Sequence, residues 1–299
     1  MMGKLNSFLG VGRAPFLLLP VTLVASGAAA SAYDDGFSWI RTLLALVGLV
    51  ALHIAVNALN EASDFKTGID LKTRRTPFSG GSGTLPAGAL SVKATLLFAY
   101  GAAAVGLAIG VGFLLAVGWS FLPIMILGAV AVLTYTDLLA RLGVGEVAAG
   151  LGLGTLPVLG AALVQGGVLG PAAWAASAPA FFMTFNLLFL NEFPDEEADR
   201  SGGRRHLVIL LGRPAAAWVY SVAAILTPVS IIVSVASEWL PALSLLAVVP
   251  SLLLAKPLRW AVGSPREAVP VPALGANVIW NLATNLALAA ALAASALWA

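Results

Sequence analysis

Nine apolar runs, each long enough to cross a bilayer, constrain this chain more than anything else in it. A transmembrane helix needs roughly 20 consecutive apolar residues. The runs fall at 15–33, 37–60, 89–116, 119–139, 146–166, 171–192, 214–236, 239–262 and 274–298. No alternating strand pattern appears, so the predicted fold class is all-α integral membrane, with nine transmembrane helices. The whole chain, 1–299, reads as one membrane domain. Only 10% of its residues are charged, against about 25% in a soluble domain. Lys4 and Arg13 before the first run resemble the start of a signal peptide, but that run reads as the first membrane helix because the rest of the chain is also apolar.

Charge gives the direction. With the N-terminus placed in the cytoplasm, Arg41 alone among the 16 Lys and Arg falls on the far side. So strong a positive-inside bias also supports the helix count, because one span too many would scramble it. A multi-pass protein with its N-terminus and its reactive face on the cytoplasmic side is expected, in the plasma (inner) membrane if the source is bacterial. The net charge of +2 implies no nucleic-acid partner, and the absence of cysteine excludes thiolate chemistry and disulfides.

Two acid-rich clusters end apolar runs on that same side. The first spans Asn57, Asn60, Glu61, Asp64, Lys66, Gly68 and Asp70; the second spans Asn191, Glu192, Asp195, Glu196, Glu197, Asp199, Gly203, Arg204 and Arg205. They lie in the two longest cytoplasmic loops, 61–88 and 193–213. Residues four apart share a helix face, which groups Asn60 with Asp64, and Asn191 with Asp195 and Asp199. Pro194 is compatible with a kink or a local break near the membrane surface. Carboxylates beside hydrocarbon are costly and are retained mainly where they work. Oxygen-only ligands suit Mg²⁺, whose shell is usually completed by phosphate oxygens and water. Lys66, Lys72, Arg74, Arg75, Arg204 and Arg205 add charge complementary to a diphosphate.

The paired clusters resemble the two aspartate-rich motifs of the UbiA superfamily of intramembrane prenyltransferases. The second motif fits through Asp195, Asp199 and Gly203. In the first, Glu61 stands where Asp is common, and Asp70 follows Asp64 at a longer spacing. That spacing is similar to the 1,4-dihydroxy-2-naphthoate prenyltransferase branch of menaquinone synthesis. Tyr135-Thr-Asp137, Gly145-Glu146, Gly154 and the run from Gly203 to Arg213 resemble the same branch.

The resemblance implies Mg²⁺ held by Asn60, Asp64, Asp70, Asn191, Asp195 and Asp199, with Asp64, Asp70, Asp195 and Asp199 as the catalytic carboxylates. It implies nine transmembrane helices in a bundle around a central cavity, capped by the cytoplasmic loops 61–88 and 193–213, with a polyprenyl diphosphate and an aromatic acceptor as partners within the lipid bilayer. Asn57, Tyr135, Arg141 and Glu146 are candidates for the acceptor or cation pocket. Ordinary roles compete with several of these. Tyr135 also suits an interface anchor, and Arg141 with Glu146 suits a structural ion pair. His53 reads as a hydrogen-bonded interior residue, His206 as solvated, and Glu196 and Glu197 as solvent-facing. Glu61 reads as a support for the ligands or as a ligand through water. Gly150, Gly152 and Gly154 read as close helix packing.

Three other functions use the same features. Another acceptor, such as 4-hydroxybenzoate, homogentisate, a glycerol lipid or a chlorophyllide, would need the same diphosphate site. A membrane terpene cyclase would use it without an acceptor. A transporter would also keep carboxylates in the membrane, but here the acids gather on one face and none lies deep in the later runs.

Overall fold

The computed structural model describes residues 3–34 and 36–298. Among them there is no strand. Nine helices are long and apolar enough to cross a membrane: Ala14–Tyr33, Trp39–Thr67, Val92–Val117, Trp119–Leu142, Gly145–Gly166, Pro171–Ser201, Arg213–Ala236, Ala242–Gly263 and Val271–Ala296. They are called the first to ninth spans below. The protein is a multi-pass membrane protein.

Two spans overrun the expected ends. The second continues to Thr67 and the sixth to Ser201, so both acidic clusters ride largely on helix rather than on loop. Pro194 does not break the sixth span, which runs on through it. Gly68 then ends the second span in a left-handed conformation (φ 79°) that costs glycine little. A short helix at Lys4–Val11 precedes the first span, and others at Ile69–Lys72 and Leu207–Leu211 follow the acidic clusters.

The sixth span is the hub. It packs against the first, fifth, seventh and ninth. Its sequence explains why: Phe181, Phe185, Phe189 and Phe193 recur at helical spacing and form a continuous ring series, with centroids 5.4 Å apart for Phe185–Phe189 and 5.7 Å for Phe189–Phe193. Trp260 of the eighth span closes the series edge-on to Phe193 at 4.9 Å. Two residues of offset turn a helix by about 200°, so Asn191, Asp195 and Asp199 point away from that aromatic face.

A buried polar network fixes the register of three spans. Asn186 Nδ2 donates to the Tyr220 carbonyl at 3.2 Å, the Tyr220 hydroxyl donates to Asn277 Oδ1 at 2.9 Å, and Asn277 Nδ2 donates to the Asn186 carbonyl at 3.0 Å. Hydrogen bonds of this kind between buried spans favour one packing where apolar contacts alone would permit several.

The fourth and fifth spans each contain a π turn, at Tyr135–Leu139 and Leu151–Thr155. Such turns insert an extra residue into the helix and often occur at functional sites.

Candidate active site

The two acidic clusters converge. Asn57, Asn60 and Asp64 of the second span and Asn191, Asp195 and Asp199 of the sixth line one cavity of about 160 Å³, together with Asp70. Arg13, Tyr135, Glu192 and Arg204 line it too, and Ser79, Gly80 and Gly81 of the capping segment cover it. Gly81 sits so close to Asp70 that a Cβ there would lie 2.7 Å from its Oδ1, and its φ of 70° also favours glycine.

Cations bind the carboxylates together. Arg204 pairs with Asp64 through Nη2 and approaches Asp199 Oδ1 with Nη1 at 3.5 Å, bridging the two clusters. Burial works against the Arg204 charge, but Asp64 and Asp199 outweigh it and push its pKa further up. Arg13 Nε donates to Glu61 Oε1 at 3.1 Å, and its Nη2 donates to Asn60 Oδ1 at 3.3 Å. Arg13 too is held charged: Glu61, then Asp64, overcome the cost of its burial. Asp70 lacks such a partner. Burial first, then the Glu61 and Asp64 charges, pushes its pKa up to about 7.

The donor set fits a hard divalent cation. Asp70 Oδ2 and Asp195 Oδ1 are buried and accept no hydrogen bond among the described residues, which is costly for carboxylate oxygens unless a cation or proton meets them. All the first-choice ligands are oxygens, as Mg²⁺ prefers.

A second cavity, about 380 Å³ and almost wholly apolar, lies beside the first. His53 and Leu153 line both. Its wall includes Gly128, where a Cβ would meet nothing within 4 Å, and Gly48, Gly106 and Gly152, where a Cβ would strike Ile109, Leu52 and Ala131, so these three mark close helix packing.

Residues 18–282 match the UbiA prenyltransferase family. The chain belongs to that family. It is 26% identical over 205 residues to the 1,4-dihydroxy-2-naphthoate octaprenyltransferase of Bacillus subtilis, a match that covers 66% of this chain and 65% of that enzyme. A UbiA homolog from Archaeoglobus fulgidus, solved bound to GPP and Mg²⁺, shares the fold with a TM-score of 0.67 at 15% identity, covering 95% of this chain and 99% of that one. A UbiA homolog from Aeropyrum pernix K1, solved without ligand, gives a TM-score of 0.71 at 18% identity over 91% of this chain and 96% of that one.

In this UbiA family member the six expected metal-ligating residues all reach the cavity, as do Asn57, Tyr135 and Arg204. The other expected phosphate-binding residues do not line it. Lys66, Lys72, Arg74, Arg75 and Arg205 are exposed. Lys72 instead donates to Ser201 Oγ at 3.2 Å, tying the segment after the second span to the end of the sixth. On the short helix after Gly68, Asp70 is buried at the cavity wall while Lys72, two residues on, is exposed.

Arg141 and Glu146 form neither of the expected arrangements. No ion pair joins them among the described residues, and neither lines the cavity. Glu146 is fully buried, and its Oε1 accepts from the Leu207 backbone N–H at 2.5 Å. His206, expected in solvent, is 2% exposed, with Nε2 at 3.4 Å from Asp199 Oδ2. Glu197 is exposed as expected, whereas Glu196 pairs with Arg200 and Arg213. His53 is the interior residue expected, with Nδ1 at 3.0 Å from the Leu49 carbonyl. Glu61 supports the site rather than lining it: besides Arg13 it accepts from the Ser82 backbone N–H at 2.8 Å and Ser82 Oγ at 2.7 Å.

Arg13 is the functional candidate that sequence reasoning overlooked. The sequence marks it only as a cation before an apolar run. Its left-handed backbone (φ 50°), rare outside glycine, turns the chain so that the side chain reaches the cavity.

Proposed function

We propose that this protein transfers a polyprenyl group from an allylic diphosphate to an aromatic acceptor, with 1,4-dihydroxy-2-naphthoate as the acceptor. One observation carries the proposal: the carboxylate-lined cavity opens beside an apolar one of more than twice its volume, sharing His53 and Leu153 with it. Polar head and hydrocarbon tail of one substrate then have adjoining places. The Archaeoglobus fulgidus relative solved with GPP and Mg²⁺ and the Bacillus subtilis relative named for its naphthoate substrate support this reading.

Asn60, Asp64, Asp70, Asn191, Asp195 and Asp199 would hold the metal. When bound, Mg²⁺ supplies positive charge that stabilises the departing diphosphate. Arg13 and Arg204 add fixed cationic donors on the same wall. The bond between the allylic carbon and the diphosphate oxygen breaks, and the electron pair leaves with the diphosphate. An electron-rich ring carbon forms the new carbon–carbon bond, and in a naphthoate acceptor the carboxylate leaves as CO₂. The half-buried Tyr135 lines the cavity, and an aromatic ring there suits a developing carbocation. The Ser79–Gly81 cap and the apolar walls exclude water that would quench that cation. The positive-inside bias supports a cytoplasmic opening.

The test is product analysis by mass spectrometry. Purified protein, Mg²⁺ and a polyprenyl diphosphate are offered a panel of acceptors that includes the naphthoate. Prenylated, decarboxylated naphthoate is expected, and no product from Asp64→Ala or Asp195→Ala. Full activity in both variants would overturn the site; product from another acceptor alone would overturn the substrate.

A further inference from the structure

We propose that Glu146, Glu192 and His206 form a second divalent-cation site, of transition-metal rather than Mg²⁺ character, behind the acid-rich cavity. The proposal does not rest on the prenyl-transfer reading.

The three side chains come from the start of the fifth span, the middle of the sixth and the segment before the short helix at Leu207. One ligand atom from each lies within 4.8 Å of the other two. Ligands about 2.1 Å from a tetrahedral ion stand about 3.4 Å apart, so modest side-chain adjustment would close the set. All three are buried, at 0%, 8% and 2% exposure.

Their hydrogen bonds are those of ligands rather than of a finished polar cluster. Leu207 N–H anchors Glu146 Oε1, while Oε2 has no hydrogen-bond partner. Glu192 Oε2 has none either, nor does either ring nitrogen of His206. A carboxylate held at one oxygen and bare at the other is oriented as metal-ligating carboxylates usually are. The surroundings supply too little positive charge. Asp199 brings another carboxylate to 3.4 Å from His206 Nε2, and the nearby Arg204 is already committed to Asp64 and Asp199. The Glu146 and Glu192 carboxyls are within hydrogen-bond reach of each other; two buried carboxylates are expensive as charges, so a shared proton holds them without metal and a divalent cation would displace it.

The imidazole sets the class of metal. Mg²⁺ favours oxygen, whereas a His with two carboxylates suits Zn²⁺, Co²⁺ or Mn²⁺. Asp199 then stands between the two sites, with Oδ1 towards Arg204 and Oδ2 towards His206.

The experiment is metal analysis of the whole protein in detergent. Chelator-stripped protein is equilibrated with Zn²⁺ or Co²⁺, dialysed against excess Mg²⁺ and assayed for metal per chain. About one equivalent is expected in the wild type and in Asp64→Ala, and at least a tenfold loss in Glu192→Gln and His206→Ala. The Co²⁺ form should show visible d–d absorption that those two variants lack. Thermal melting of the stripped proteins identifies a variant that fails to fold, and Glu146→Gln then replaces it. No retained metal in the wild type overturns the proposal, and so does full retention in the cluster variants. Loss in Asp64→Ala but not in His206→Ala would place the metal in the acid-rich cavity and overturn it too.

Discussion

Asp64 and Asp199, on different spans and in different acidic clusters, share one guanidinium. Arg204 Nη2 pairs with the first, and Nη1 lies 3.5 Å from the second. The bridge holds the two walls of the cavity together and keeps a cation where a diphosphate would lie.

Arg204→Ala should therefore weaken diphosphate use strongly. Charge-assisted hydrogen bonds of this kind contribute about 1.5–3 kcal/mol, and removal also leaves Asp64 and Asp199 facing each other unscreened. Steady-state kinetics should show kcat/KM for the allylic diphosphate falling by about tenfold to a hundredfold. Arg204→Lys should recover part of the loss, because it restores the charge but not the two-pronged geometry.

Metal affinity should depend on pH through Asp70. Its carboxyl titrates at about 7 in the absence of metal, raised chiefly by burial. Metal binds the ionised form, so a proton must leave below that pH and need not leave above it. Isothermal titration with Mg²⁺ should show affinity falling from pH 8 to pH 6, with proton release on binding that grows as the pH drops. In Asp70→Asn the affinity should be lower and that part of the pH dependence absent.

Glu61→Ala should destabilise the protein and loosen the cap. Glu61 is fully buried and joins the N-terminal Arg13 to Ser82 of the capping segment. Breaking a buried pair costs about 3–5 kcal/mol, and the partial exposure of Arg13 places this case near the lower end. Thermal denaturation in detergent should show a clear fall in Tm, and limited proteolysis should cut sooner near Ser82.

Gly128→Leu should shorten the isoprenoid that the protein accepts. Gly128 lines the apolar cavity, and a Cβ there meets nothing within 4 Å. The helix should tolerate the change while the larger side chain fills the tail space. Competition between long and short polyprenyl diphosphates, read by mass spectrometry, should shift towards the short one, with little change in KM for the acceptor.

The fold was legible because bilayer thickness and the lack of water in it leave the backbone few choices. Nine apolar runs implied nine helices, and those helices appear within a few residues of their expected places except where the second and sixth continue past the hydrocarbon to Thr67 and Ser201. Helical spacing was also enough to gather Asn60 with Asp64 and Asn191 with Asp199. Less local facts were hidden. Arg13 enters the site through one left-handed residue. Glu146, Glu192 and His206 meet only because the fifth and sixth spans pack together and the segment after Arg205 folds back, its N–H bonded to the Ala140 carbonyl at 3.0 Å. Neither π turn has a spacing signature in the sequence.

The most direct test of the central claim is a crystal structure with Mn²⁺ and a non-hydrolysable allylic diphosphate, read by anomalous scattering. The account predicts metal peaks between Asp64 and Asp70 on one side and Asp195 and Asp199 on the other, with the hydrocarbon tail running past His53 into the apolar cavity. A diphosphate bound elsewhere, or one that reaches this cavity without metal, would contradict it.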